Sequence, residues 1–238
     1  MSEAFFRFQQ FVVHHERCAM KVGTDGVLLG AWARGGRTVL DIGTGTGLIA
    51  LMMAQRYEHA MIDAVEIDSD ACQQARENVS ASPFSQRIHV INDSVQHFVA
   101  DQNPGMAYDA IVCNPPFFEN ALKNPDRSRT VARHSDTLPF SVLFRLVSGL
   151  LKEEGEFSAI IPFEYKVRFE EEALHQGLSV SRVCAIHTTP RKPVRRYLLA
   201  FRRRTAQAVE MEEVVLEMQP NVRSDWYDRM TKDFYIKR

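Results

Sequence analysis

Thr38-Val-Leu-Asp-Ile-Gly-Thr-Gly-Thr-Gly47, followed by the segment 48–57, is the stretch that decides the fold. Residues 38–41 read as a short apolar strand, 42–47 as a tight glycine turn and 48–57 as an apolar helix. Strand, glycine turn and helix form the opening βα unit of a doubly wound fold. The alternation then continues: strands are expected at 61–66, 87–93, 108–113 and 156–162, and helices at 69–79, 94–100, 138–151 and 163–176. Ser69 or Asp70 is the expected cap of the helix at 69–79. Two further strands, 178–186 and 195–202, are joined by Pro190-Arg-Lys-Pro193, too short a link for a parallel crossover and therefore a hairpin. The expected class is α/β: a doubly wound, mostly parallel seven-stranded sheet with one antiparallel strand from a C-terminal hairpin. After Thr205 come a strand-like Val214-Val-Leu216 and four aromatics, Trp226, Tyr227, Phe234 and Tyr235, expected to pack on the domain.

The chain of 238 residues is long enough for a substantial core, and 45% hydrophobic residues suit a globular protein. A net charge of −1 excludes a global field aimed at nucleic acid, so any basic surface must come from uneven distribution. Cys18, Cys72, Cys113 and Cys184 are scattered, with no CxxC pair and no His at zinc spacing. Neither a disulfide framework nor a metal site is expected, and the thiols read as buried ones in a reducing compartment. Glu3, Arg7 and the lack of a small-residue cleavage site argue against a signal peptide, and no run approaches the ~20 apolar residues that span a bilayer. A cytoplasmic monomer is the expectation.

Ligands of such sheets bind outside the carboxyl ends of the strands. Here those ends carry Asp41 with the glycine turn, then Glu66, Asp93 and Asn114. Gly43, Gly45 and Gly47 let backbone approach a ligand closely, since no Cβ intervenes. Glu66 follows Asp41 at about the separation from which an acid reaches a ribose diol, and Asp93 can accept from an adenine amino group. The turn is GxGxG, not the GxGxxG of dinucleotide binders, and no P-loop lysine is present. A nucleoside without a pyrophosphate fits better, and S-adenosyl-L-methionine has that form. Upstream, Lys21, Thr24 and Asp25 read equally as partners of the charged amino-acid end of such a cofactor or, for Thr24 and Asp25, as helix caps. Residues 1–36 are thus expected as an N-terminal extension packing over the cofactor site, and 37–238 as the main domain.

Asn114-Pro115-Pro116-Phe117 closes the strand at 108–113. Asn114 Oδ1 and the Pro115 carbonyl are acceptors, Pro116 cannot donate a competing N–H, and Phe117 can stack on a ring. Two acceptors facing one exocyclic amine localise its lone pair, which suits alkylation of a weak nitrogen nucleophile. By itself the stretch reads equally as a turn.

In that order and spacing, DIGTGTG, VEID, the acid at Asp93 and NPPF resemble the class I S-adenosylmethionine-dependent methyltransferases that modify amino groups. HHERCAMKVGTDGVLLGAWA, DIGTGTGLIALMMAQR and CNPPFF are more closely similar to the bacterial tRNA1(Val) adenine(37)-N6 methyltransferase family, most strongly over about residues 11–135. The resemblance implies cofactor positions at Asp41, Gly43, Gly45, Glu66 and Asp93 and a catalytic motif at Asn114, Pro115, Pro116 and Phe117. It implies methylation of an adenine N6 in tRNA. Its alternatives are a methyltransferase for an rRNA base amine or a protein glutamine, or a non-catalytic RNA-binding module. RNA contacts are expected from Lys123, Arg127, Arg129 and Arg133 in a long loop, and from Arg191, Lys192, Arg195 and Arg196 in an acid-free run that continues to Arg204. That run reads otherwise as a charge-protected sheet edge.

Overall fold

The computed structural model describes residues 4–18, 20–101, 108–115, 138–203 and 208–236. A short hairpin, β1 (Phe5–Arg7) and β2 (Val12–His14), precedes helix α1 (Thr24–Trp32). The regular alternation follows: β3 (Thr38–Ile42), α2 (Leu48–Arg56), β4 (Met61–Glu66), α3 (Ser69–Ser80), β5 (Ile88–Asn92), α4 (Val95–Asp101) and β6 (Tyr108–Cys113). The second half holds α5 (Phe140–Leu150), β7 (Leu151–Pro162), a 3-10 turn (Phe163–Tyr165), α6 (Lys166–His175), β8 (Ser179–His187) and β9 (Val194–Arg202). β10 (Glu210–Val215), the small pair β11 (Glu217–Gln219) and β12 (Val222–Arg223), and α7 (Asp225–Thr231) end the described chain.

The central sheet runs β10-β8-β9-β7-β6-β3-β4-β5. From β7 to β5 every pair is parallel, β9 lies antiparallel between β7 and β8, and β10 returns parallel to β8. The sheet therefore holds the seven expected strands and an eighth at its edge. Chain order reverses between β3 and β6, which opens the crevice where α/β sheets take their ligands.

Strict alternation divides the core in two. Val39, Ile62, Ala64, Ala110 and Val112 face α1, α2, the N-terminal hairpin and the C-terminal tail. Leu40, Ile42, Val65, Ile111 and Cys113 face the layer of α4, α5 and α6. The apolar residues on both sides of these strands follow from cover on both faces. Helix α2 is buried at seven of its nine positions because α1 and the tail lie over it. On the other face Phe144 sits edge-on to Phe157, Phe169 and Phe201, with centroids at 5.6, 4.6 and 5.2 Å, an arrangement ring quadrupoles favour. The tail packs as expected: Phe234 and Tyr227 join Phe8 and Phe11 in one core, and Gln9 Nε2 donates to the carbonyls of Lys232 and Tyr235 at 2.8 and 2.6 Å.

Several boundaries depart from the sequence reading. The α3 cap is Asp68, whose carboxylate accepts from the amides of Asp70 and Ala71, both at 2.9 Å; Ser69 and Asp70 already lie within the helix. β7 begins at Leu151, where Tyr108 of β6 pairs with it across a register shift. Lys152, Glu153 and Glu154 are exposed there, so no apolar pattern announces the strand. The α1 cap is Gly23 with no side-chain bond, so neither Thr24 nor Asp25 caps it.

Candidate active site

The strand ends meet at a cavity of ≈ 450 Å³, a size typical of small-molecule sites. Its floor is the glycine turn between β3 and α2. Gly43, Gly45 and Gly47 all have positive φ, at 69°, 57° and 81°. A Cβ built on Gly43 or Gly45 meets nothing within 4 Å, so the backbone conformation selects glycine and the open space is cavity. Asp41 holds the turn from behind: Oδ2 accepts from Thr44 Oγ1 at 2.6 Å and from the Ala50 amide at 3.1 Å. It is fully buried and its Oδ1 has no hydrogen-bond partner in the structure. Burial pushes its carboxyl up to about 7, while the bonds from Thr44 and Ala50 act the other way. Asp41 and Gly47 thus shape the turn without lining the cavity, whereas Gly43 and Gly45 line it.

Glu66 and Asp93 form the next two walls. Glu66 Oε2 accepts from the Gly45 amide at 2.8 Å and Oε1 from the Asp68 amide at 2.9 Å, which clamps the carboxylate between the two loops. Asp93 lies just past β5. Its Oδ1 accepts from the Ser94 amide and its Oδ2 meets His97 Nδ1, each at 2.7 Å. Asp101 comes within 3.6 Å of the same imidazole, and the two acids raise the His97 pKa. Asn114 and Pro115, directly after β6, line the cavity on the other side of the turn. Pro116, Phe117, Lys123, Arg127, Arg129 and Arg133 lie outside the described residues.

Lys21, Thr24 and Asp25 line the cavity as well. Asp25 accepts from Arg196 Nη1, and Arg196 is itself a wall residue whose guanidinium pKa is lowered by burial. The basic run therefore divides by role. Arg191, Lys192 and Arg195 are exposed around the β8–β9 tip. Arg202 binds Glu156, which is 3% exposed and also takes Arg182 at 2.6 Å, and Arg203 Nε donates to the Leu151 carbonyl at 2.9 Å.

Sequence reasoning missed Asn78. Its Nδ2 donates to the carbonyls of His14 and Thr46, and its Oδ1 accepts from the His14 amide, all at 2.9 Å. One buried amide thereby ties the N-terminal hairpin and the glycine turn to α3. The signal was an Asn on the stripe formed by Ala71, Cys72, Ala75 and Val79. Cys18, Met20 and Leu138 also line the cavity and carried no signal of their own.

A doubly wound sheet, a GxGxG turn open to a cavity, an acid on each of two neighbouring strand ends and Asn-Pro across the switch point define a class I methyltransferase using S-adenosyl-L-methionine. Comparison with known proteins agrees. Residues 22–137 match the methyltransferase small domain family. The tRNA1(Val) (adenine(37)-N6)-methyltransferase of Phocaeicola vulgatus is 48% identical over 238 residues, covering 99% of each chain. The protein of that name from Trichodesmium erythraeum is 43% identical over 236 residues, covering 98% of each. A crystal structure of a predicted O-methyltransferase from Agrobacterium tumefaciens superposes with a TM-score of 0.66 at 18% identity, over 90% of this chain and 99% of that one. TrmN from Thermus thermophilus gives 0.51 at 21% identity, over 74% of this chain and 46% of that one; both likenesses concern the fold alone. The chain belongs to the tRNA1(Val) (adenine(37)-N6)-methyltransferase family.

Proposed function

We propose that the chain transfers a methyl group from S-adenosyl-L-methionine to the exocyclic N6 of adenine 37 in tRNA1(Val), the reaction named for its full-length relatives, and does so in the cytoplasm. The observation that carries the reading is that Asn114 and Pro115 open into the same cavity as the glycine turn and Glu66. The residues fit the cofactor. Gly43 and Gly45 leave room for close approach, and Glu66, Asp93, Lys21 and Thr24 all line the cavity; on this reading Glu66 takes the ribose diol, Asp93 the adenine amine, and Lys21 with Thr24 the amino-acid end. When bound, the cofactor supplies an electrophilic methyl on a sulfonium.

The chain's own part is positioning. Asn114 Oδ1 and the Pro115 carbonyl accept from the target amine and fix its nitrogen toward the cavity. Because β6 is buried on both faces, these acceptors need no reorganisation at the moment of reaction. The nitrogen gains the methyl and releases one proton to solvent, so no strong base is required. A base in an anticodon loop is already partly unpaired, which lowers the few-kcal/mol cost of extruding it. Neither an rRNA amine nor a protein glutamine is favoured by the relatives' names.

The test is transfer from labelled cofactor to unmodified transcripts of tRNA and rRNA and to protein, followed by nucleoside analysis. N6-methyladenosine in tRNA is expected, and label confined to rRNA or protein would overturn the substrate.

A further inference from the structure

Phe163 is the most exposed Phe, Tyr or Trp among the described residues, at 53%. It opens the 3-10 turn directly after β7, the strand beside β6 and its Asn114. Cys113 pairs with Ala159, and Pro162 lies three residues further along β7, so the turn that Phe163 opens begins roughly 10 Å beyond the level of Cys113 at ~3.3 Å per residue. Its inner face is taken: it stacks on Tyr197 of β9 with centroids 6.0 Å apart and planes 25° from parallel. Lys166 Nζ lies 5.5 Å from the centre of the Tyr197 ring. Across the same rim stand the exposed Arg191, Lys192 and Arg195 of the β8–β9 tip. The turn carries one acid of its own, Glu164, also exposed, so the cationic excess comes from the hairpin.

The packing on Tyr197 covers one side of the ring and leaves Phe163 53% exposed. A ring with one face braced and the other open, bordered by cations, is how proteins grip unpaired nucleotides, by base stacking and phosphate neutralisation together. We infer that Phe163, braced by Tyr197, is a stacking platform for an unpaired nucleobase flanking the target adenine, with Arg191, Lys192 and Arg195 on the adjoining phosphates. The inference rests on the tRNA reading and deepens it. The target base goes to Asn114, and the platform holds its neighbour, so that the loop is splayed at the point of reaction.

The experiment uses the full chain and an anticodon stem-loop RNA carrying the fluorescent base 2-aminopurine next to the target adenine, on either side in turn. With the native chain, one of the two positions is expected to be quenched on binding. Phe163→Ala should abolish that quenching and weaken RNA binding about 5- to 100-fold. Phe163→Trp should restore both, and cofactor affinity should stay unchanged in each variant. Native-like binding and quenching in Phe163→Ala would overturn the platform while leaving the tRNA reading intact. Loss of cofactor affinity together with RNA affinity would show a structural ring and also overturn it. If the native chain bound no RNA, the tRNA reading itself would fall, and the platform with it.

Discussion

Asn114 combines two requirements that rarely coincide: it ends a strand buried on both faces, yet its side chain faces a cavity. On the proposed reading its role is separable from cofactor binding, which that reading gives to the glycine turn and Glu66. Asn114→Ala should therefore lower turnover by at least about 100-fold, the scale of removing one preorganised polar contact, with cofactor affinity nearly unchanged by calorimetry. Parallel loss of both would contradict the assignment. Asp41 makes a different prediction. Its carboxyl is held up to about 7 in the fold and titrates near 3.9 when unfolded, so between these values the native state binds more protons. Stability from this group is full below pH ~4 and is lost as pH rises toward 7, at up to about 1.4 kcal/mol per unit. Urea melts of the cofactor-free chain across that range should show this slope relative to Asp41→Asn, and superimposable pH profiles would refute it. Residue identities at strand ends were legible because acids and an Asn-Pro pair are anomalous after apolar runs. Arg196 was not, because only the folded sheet brings β9 beside the N-terminal Asp25.

At the scale of elements, β3, its turn and α2 were readable since local glycine chemistry and apolar runs specify them. What supports that turn was not. Asn78 belongs to α3 and reaches both Thr46 and the hairpin strand β2, a junction no local pattern encodes. Asn78→Ala strands the buried Thr46 carbonyl and loosens the hairpin, and should cost about 2–3 kcal/mol in chemical denaturation. Because the turn it braces lines the cavity, cofactor affinity should fall as well, in contrast to Asn114→Ala. Unchanged cofactor affinity in Asn78→Ala would show that the turn stands without it. The helix at 94–100 and the hairpin at 178–202 were placed within one residue, whereas β7 began five residues early. There the pairing with β6 overrides three consecutive charged residues.

The whole molecule explains the eighth strand. β10 shows Glu210, Met211, Glu212 and Glu213 to solvent, so its sequence lacks strand alternation, and its place comes from backbone pairing with β8. Its acids are nonetheless engaged. Glu212 accepts from the indole nitrogens of Trp32 and Trp226 at 3.0 and 3.1 Å, and Glu213 meets His187 Nε2 at 2.7 Å. Edge strand, α1 and tail are thereby joined across some 200 residues of sequence. The same long-range assembly sets the distribution of charge: the hairpin tip keeps its cations free for solvent while Arg202 turns inward to Glu156. The result is a cofactor cavity rimmed on one side by bare Arg and Lys, which is what the tRNA reading requires of a nearly neutral chain. The identity of the methylated atom is tested by comparing two tRNA1(Val) transcripts that differ only at position 37, adenosine in one and guanosine in the other. Stoichiometric N6-methyladenosine is expected in the first and no label in the second; equal labelling of both would contradict methylation at N6 of adenine 37.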